Sequence, residues 1–177
     1  MKTFAVPTRE QVSDNNKAIF DTLKQKIGMV PNLYAVMAYA ENALGNYVTF
    51  QGGKTSLRGK EKEAVNLIVS QVNNCIYCLS AHTVLGKMNG LNDEQIIEIR
   101  EGGASFDAKL DALVKLAKNI TESRGKADSA LVDSFFAAGY NEGSLVDVVM
   151  LIGDKTIMNY LHNLTEVPVD FPMAPEL

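Results

Sequence analysis

Apolar positions recur along most of the chain at spacings of three and four, the period of an α-helix with one buried face. Val12, Ala18, Ile19, Leu23 and Ile27 keep that period after Pro7-Thr8, and Gly28 stands where a helix stop belongs. A short helix is predicted from Val30-Pro31-Asn32 through Leu33, Val36 and Met37, and another from about Glu41 to Phe50. Gln51-Gly52-Gly53-Lys54-Thr55-Ser56 breaks the pattern. From Lys60 to Val72 the apolar residues Ala64, Val65, Leu67, Ile68 and Val72 again share a face. Asn73-Asn74 interrupts, in residues suited to a cap or tight turn. The next helix is predicted from Cys75 to about Met88, closed by Asn89-Gly90.

Asn92 and Gln95 form a capping box for a helix to about Arg100, and Glu101-Gly102-Gly103 ends it. Three further helices are predicted over 108–123, 128–138 and 143–164, the last capped by Asn141. The tail from Pro168 carries Pro168, Pro172 and Pro175 and is expected to be irregular. No segment alternates as a strand does, so the fold class is all-α. No repeat and no glycine-rich phosphate loop is present.

Composition narrows the function. At 177 residues, 46% of them apolar, the chain is expected to form one domain with a substantial core. A formal charge of −4 leaves no basic stripe to neutralise phosphates, which excludes a nucleic-acid partner. Val148-Val149-Met150-Leu151-Ile152 is too short to span a bilayer and stops at Gly153-Asp154, so no membrane role is expected. Met1-Lys2-Thr3-Phe4 lacks the apolar core of a secretion signal, and a cytoplasmic location is expected.

Against that background one stretch stands out: Asn74-Cys75-Ile76-Tyr77-Cys78-Leu79-Ser80-Ala81-His82. It holds both cysteines of the protein and one of its two histidines. On a helix, Cys75, Cys78 and His82 are i, i+3 and i+7 on a single stripe. In a reducing compartment such a pair points to redox, catalytic or metal chemistry before a structural staple. A thioredoxin-like assignment requires a βαβ context, which is missing.

A thiol must ionise before it attacks a peroxide or a disulfide. The start of a helix favours an anion at Cys75, whereas His82, one turn past Cys78, can take a proton from Cys78. The two arguments choose different nucleophiles. A spacing of three lets a sulfenic acid on one cysteine condense with the thiol of the other. If the two helices flanking Asn73-Asn74 fold as a hairpin, Glu63 lies roughly 16 Å from the turn and His82 roughly 10 Å. A carboxylate there can orient the imidazole and pass its proton on, provided the difference in depth is closed. Cysteine, histidine and carboxylate are also zinc ligands, but there is no second Cys-x-x-Cys and no paired histidine, so neither metal nor cofactor is expected. His162 reads as a capping or interface residue, and Tyr77 as a packing or channel residue.

Glu63, eleven intervening residues, then Cys75-x-x-Cys78-x-x-x-His82 resembles the redox signature of the alkyl hydroperoxidase D-like proteins, within the carboxymuconolactone decarboxylase superfamily. Gly28-Met29-Val30-Pro31-Asn32-Leu33 and Leu57 to Glu63 are similar to the same proteins. Asn159-Tyr160-Leu161-His162-Asn163 and Val169-Asp170-Phe171-Pro172 look like the peroxidase-related branch. The signature core covers about residues 28–90. The resemblance implies an all-helical bundle that assembles as a homo-oligomer (dimer, trimer or hexamer). It also implies a cysteine-based peroxidase of the peroxiredoxin-like, antioxidant kind, reducing a small organic peroxide or hydrogen peroxide. In it Cys78 attacks, Cys75 resolves, Glu63 and His82 relay the proton, and a thiol or lipoyl-protein reductant restores the dithiol. A general dithiol–disulfide oxidoreductase shares these residues. A lactone decarboxylase-like lyase is a third reading, against which the cysteine pair counts. Tyr77 stands where the best-studied members carry a second histidine, and Arg58 where many carry a small hydroxyl residue.

Overall fold

The computed structural model describes residues 4–177. Met1-Lys2-Thr3, part of the segment read for a secretion signal, lies outside them. Among the described residues there are nine α-helices, one 3-10 turn and no strand. The helices are α1 (Asp14–Ile27), α2 (Asn32–Met37), α3 (Ala43–Gln51), α4 (Gly59–Val72), α5 (Ile76–Met88), α6 (Asp93–Glu101), α7 (Ala108–Ser123), α8 (Ser129–Ala137) and α9 (Glu142–Thr165). None is long and apolar enough to cross a membrane.

The first helix starts later than the apolar spacing suggests. Thr8 donates its N–H to Gln11 Oε1 and closes a single 3-10 turn, Arg9–Gln11. Ser13 then caps a new start by accepting from Asn16 N–H. Val12 is therefore buried between two short-range caps rather than on the helix. Local side-chain acceptors decided this boundary. Asn141 caps α9 as expected, with its Oδ1 accepting from Ser144 N–H at 2.9 Å. At α4, Arg58 has no acceptor to offer, and what remains of the cap is Glu61 Oε2 accepting the Arg58 N–H at 2.7 Å.

The chain divides into two compact units. One comprises the described residues up to Lys54 together with Leu161–Asp170. Phe20, Leu33 and Leu44 are buried in it, and Asn16 donates to the Ala38 and Ala40 carbonyls. Asp170 accepts from Asn32 N–H at 2.7 Å at the start of α2, where free N–H groups favour a carboxylate. His162 is buried here with Nε2 3.2 Å from the Val167 carbonyl, close to its expected capping role.

The other unit, Thr55–Tyr160 with Phe171–Leu177, contains the whole cysteine signature. Its core is built on α4, α6 and α7 through Val65, Leu67, Ile68, Ile96, Ile99, Leu113 and Leu116, all at most 1% exposed. Phe135 of α8 stacks on Tyr140 at 4.3 Å, and Tyr140 donates its hydroxyl to Glu61. The irregular tail is tied down over α5 rather than loose. Phe171 meets Tyr77 edge to face at 5.7 Å, and Ser80 Oγ accepts the Ala174 N–H.

Candidate active site

Everything at the signature follows from how α4 ends. Asn74 adopts the left-handed conformation (φ 52°), which asparagine tolerates better than most residues. Its N–H donates to the Gln71 carbonyl and the Cys75 N–H to the Ser70 carbonyl at 2.9 Å, the paired bonds of a Schellman turn. That turn folds α5 back along α4. Cys75 becomes the N-cap of α5 instead of its first helical residue, and its sulfur accepts the Cys78 N–H at 3.4 Å.

The hairpin brings Glu63 and His82 together directly. Glu63 Oε2 lies 2.6 Å from His82 Nδ1, and both side chains are buried. The difference in depth that counting along the two helices gives is therefore closed by side chain alone, with no bridging group. Burial opposes ionisation of Glu63, but His82, Lys155 and Asn66 outweigh it and hold the carboxyl below its ordinary range. Burial, and then Lys155, push the His82 imidazole below its ordinary value, against the opposing pull of Glu63. The pair is thus a neutral imidazole facing a carboxylate. A carboxylate only accepts, so the shared proton sits on Nδ1, and Nε2 is the nitrogen with a free lone pair.

The cysteines are both reduced and differ sharply. Both are buried, Cys75 fully and Cys78 with 3% of its surface exposed. The Cys78 thiol is drawn down to about 7, first by a hydrogen bond from the Cys75 thiol, against the penalty of burial, with help from Lys155 and Asn159. Cys75 is pushed strongly upward, first by its hydrogen bond to Cys78 and then by burial. Burial and the neighbouring thiol thus act against the helix-start argument for Cys75. The residue at the cap sits in a dry interior beside a sulfur that ionises before it, and two adjacent thiolates repel.

Three residues at the site escaped the sequence reading. Asp154, Lys155 and Asn159 of α9 are all at most 5% exposed. Asn159 donates to Ser70 Oγ (3.2 Å) and accepts from Asn73 Nδ2 (3.0 Å), which locks α9 to the turn that carries Cys75. A signal for them existed. Val148, Ile152, Lys155 and Asn159 follow each other at spacings of four, three and four, so a lysine and an asparagine occupy an apolar stripe. Tyr77 is buried against Phe171 as a packing residue. Among the described residues no three His, Cys, Asp or Glu side chains converge as a metal site.

The carboxymuconolactone decarboxylase family model matches residues 34–119, spanning α4, α5 and the turn between them. Over those residues the chain is similar to this family. The fold is shared with an uncharacterised peroxidase-related protein from Silicibacter sp. TM1040 (TM-score 0.80, 20% identity, 94% of this chain and 90% of that one). It is shared also with an alkylhydroperoxidase AhpD core, a peroxidase-related protein from Ralstonia eutropha JMP134 (TM-score 0.84, 16% identity, 94% and 91% covered). A cysteine-to-alanine variant of the debrominase Bmp8, in complex with 2,3,4-tribromopyrrole, is a third neighbour (TM-score 0.78, 16% identity, 96% and 93% covered). No curated protein sequence matches the chain. The neighbours that share this helical scaffold are thus peroxidase-related proteins and a debrominase.

Proposed function

We propose that the protein is a cysteine-based peroxidase that reduces small organic peroxides or hydrogen peroxide through a Cys75–Cys78 disulfide. The observation that carries the reading is the geometry: Cys75 caps α5 with its sulfur 3.4 Å from the Cys78 N–H, and the buried His82–Glu63 pair, joined at 2.6 Å, follows one turn beyond Cys78. His82 Nε2 receives the Cys78 proton, with Glu63 on Nδ1 stabilising the imidazolium that results. The thiolate attacks the distal peroxide oxygen, forming an S–O bond as the O–O bond breaks. The departing alkoxide takes the proton from His82 and leaves as alcohol. Cys75 then attacks the sulfenic sulfur. The S–S bond forms, and hydroxide leaves with the Cys75 proton as water. One peroxide and two thiols become one alcohol, one water and one disulfide. A thiol or lipoyl-bearing protein restores the dithiol, and no metal or organic cofactor takes part. A cytoplasmic setting fits a cycle that depends on reducing equivalents.

Self-association belongs to the same reading. Val146, Val149, Met150, Ile157 and Tyr160 leave one face of α9 apolar and about half exposed or more, a stripe suited to another copy of the chain.

A general dithiol–disulfide oxidoreductase is the second reading, since the same two sulfurs exchange with a disulfide once Cys78 ionises. The narrow exposure of Cys78 favours the peroxide, which is far smaller than a protein disulfide. Rates on cumene hydroperoxide, hydrogen peroxide and a low-molecular-weight disulfide separate the two. Peroxide is expected to react at least about tenfold faster per molar. A faster reaction with the disulfide would reassign the substrate while leaving the dithiol in place.

A further inference from the structure

Lys155 is 3% exposed, and among the described residues its side chain takes part in no ion pair and no hydrogen bond. A largely buried ammonium is costly unless negative charge lies near it, and Glu63 and Cys78 are the groups placed to supply it. Two anchors in this unit show where α9 carries it. Asp147 Oδ2 accepts both the N–H and the hydroxyl of Ser56, each at 2.7 Å, just before α4 begins. Asn159 is bonded to Ser70 and Asn73 where α4 ends. The span from Asp147 to Asn159 is about 18 Å and that from Gly59 to Ser70 about 17 Å, so α9 runs alongside α4 in the same direction.

Lys155 lies about 6 Å back from Asn159 along the axis, while Cys78 lies about 4.5 Å and His82 about 10 Å past Cys75 on the returning helix. The lysine is therefore level with the gap between thiol and imidazole. The charged and titratable groups around it are Glu63 from α4, Cys78 and His82 from α5 and Asp154 beside it on α9, with Cys75 next to Cys78 at the cap.

We propose that Lys155 is the fixed cation that holds Cys78 as a thiolate and His82 as a neutral base, a positioning residue outside the Glu63, Cys75, Cys78 and His82 set. It rests on the reading of Cys78 as the reactive thiol. When Cys78 loses its proton to His82, the anion forms against an ammonium already in place. The same ammonium opposes a second proton on the imidazole at rest. Asp154, whose Oδ1 is buried without a hydrogen-bond partner, acts against Lys155 at both groups. The two neighbours on α9 thus have opposite effects on one sulfur.

The test is the pH dependence of Cys78 alkylation by iodoacetamide, resolved by mass spectrometry on the reduced protein without peroxide. The native midpoint is expected near 7. Lys155→Met, which keeps the apolar stem, is expected to move it to about 8 and to slow alkylation at pH 7 about fivefold, with the high-pH plateau unchanged. Lys155→Arg should restore the native midpoint, and Asp154→Asn should move it downward. Loss of packing would shift both neighbours' variants the same way. A Lys155→Met protein with native circular dichroism and an unmoved midpoint overturns the proposal, as does an upward shift in Asp154→Asn. If Lys155→Met does not fold, the arginine and asparagine variants decide on the same criteria. Because alkylation needs no peroxide, a shifted midpoint without peroxide turnover sinks the peroxidase reading alone. Turnover with an unmoved midpoint sinks the lysine assignment alone.

Discussion

Cys78→Ser is expected to lower peroxide reduction on the order of a thousandfold or more, to the rate of peroxide in buffer with the reductant. A serine hydroxyl fits the same space but does not ionise near neutrality, so the step that breaks the O–O bond has no nucleophile. Cys75→Ser has a different expected outcome. The first step survives, one sulfenic acid accumulates per chain on Cys78, and turnover stops unless an added thiol resolves it. Stopped-flow measurement of peroxide loss separates a missing first step from a missing second one. Dimedone labelling followed by mass spectrometry locates the trapped acid. Accumulation of the acid on Cys75 in the Cys78→Ser protein would reverse the assigned roles. It would also return the helix-start argument to favour, since that argument places the easily ionised sulfur at the cap.

The second large effect concerns the relay. Glu63→Gln is expected to reduce kcat/KM about a hundredfold, and His82→Gln by at least as much, the usual scale of a positioned acid–base group. Glutamine still hydrogen-bonds the imidazole but carries no charge to stabilise an imidazolium. His82 is already pressed toward neutrality by burial and by Lys155, so losing the carboxylate removes the one strong influence that lets it hold a proton. The double variant should be no slower than His82→Gln alone, because the carboxylate acts through the ring. Multiplying losses would show two independent contributions. In the native protein the rate is expected to rise about tenfold from pH 6 to a plateau above pH 8. The attacking thiol ionises at about 7, and its anion is fully formed only above that value. A profile flat from pH 6 upward would mean that the ionisation of Cys78 does not limit the reaction.

Much of this arrangement was legible in the chain itself, and the parts that were not have physical causes. Helices α4 to α8 were readable because each carries an apolar period followed within two residues by asparagine or glycine. The start of α1 was not, because Ser13 and Thr8 compete as caps and short-range acceptors decide between them. Spacing placed Cys75, Cys78 and His82 on one stripe, and the hairpin turn at Asn73-Asn74 was visible in residue type. Helix rise alone left Glu63 and His82 at different depths, yet their side chains meet at 2.6 Å. The ionisation order of the cysteines depends first on the hydrogen bond between the two thiols and then on burial and α9, which no local pattern records. Lys155 was hidden for a related reason. A single charge on an apolar stripe gains its meaning only when the opposite element is known, and α9 reaches the cysteines from more than seventy residues downstream.

The central claim is that peroxide turns the two thiols into one disulfide. Titrating free thiols in the reduced protein after one equivalent of cumene hydroperoxide, with peptide mapping of the product, tests it most directly. The expected result is the loss of two thiols per chain for each peroxide consumed, a single Cys75–Cys78 cross-link, and full recovery of both thiols on reduction. Peroxide left unconsumed with both thiols still free would contradict the account.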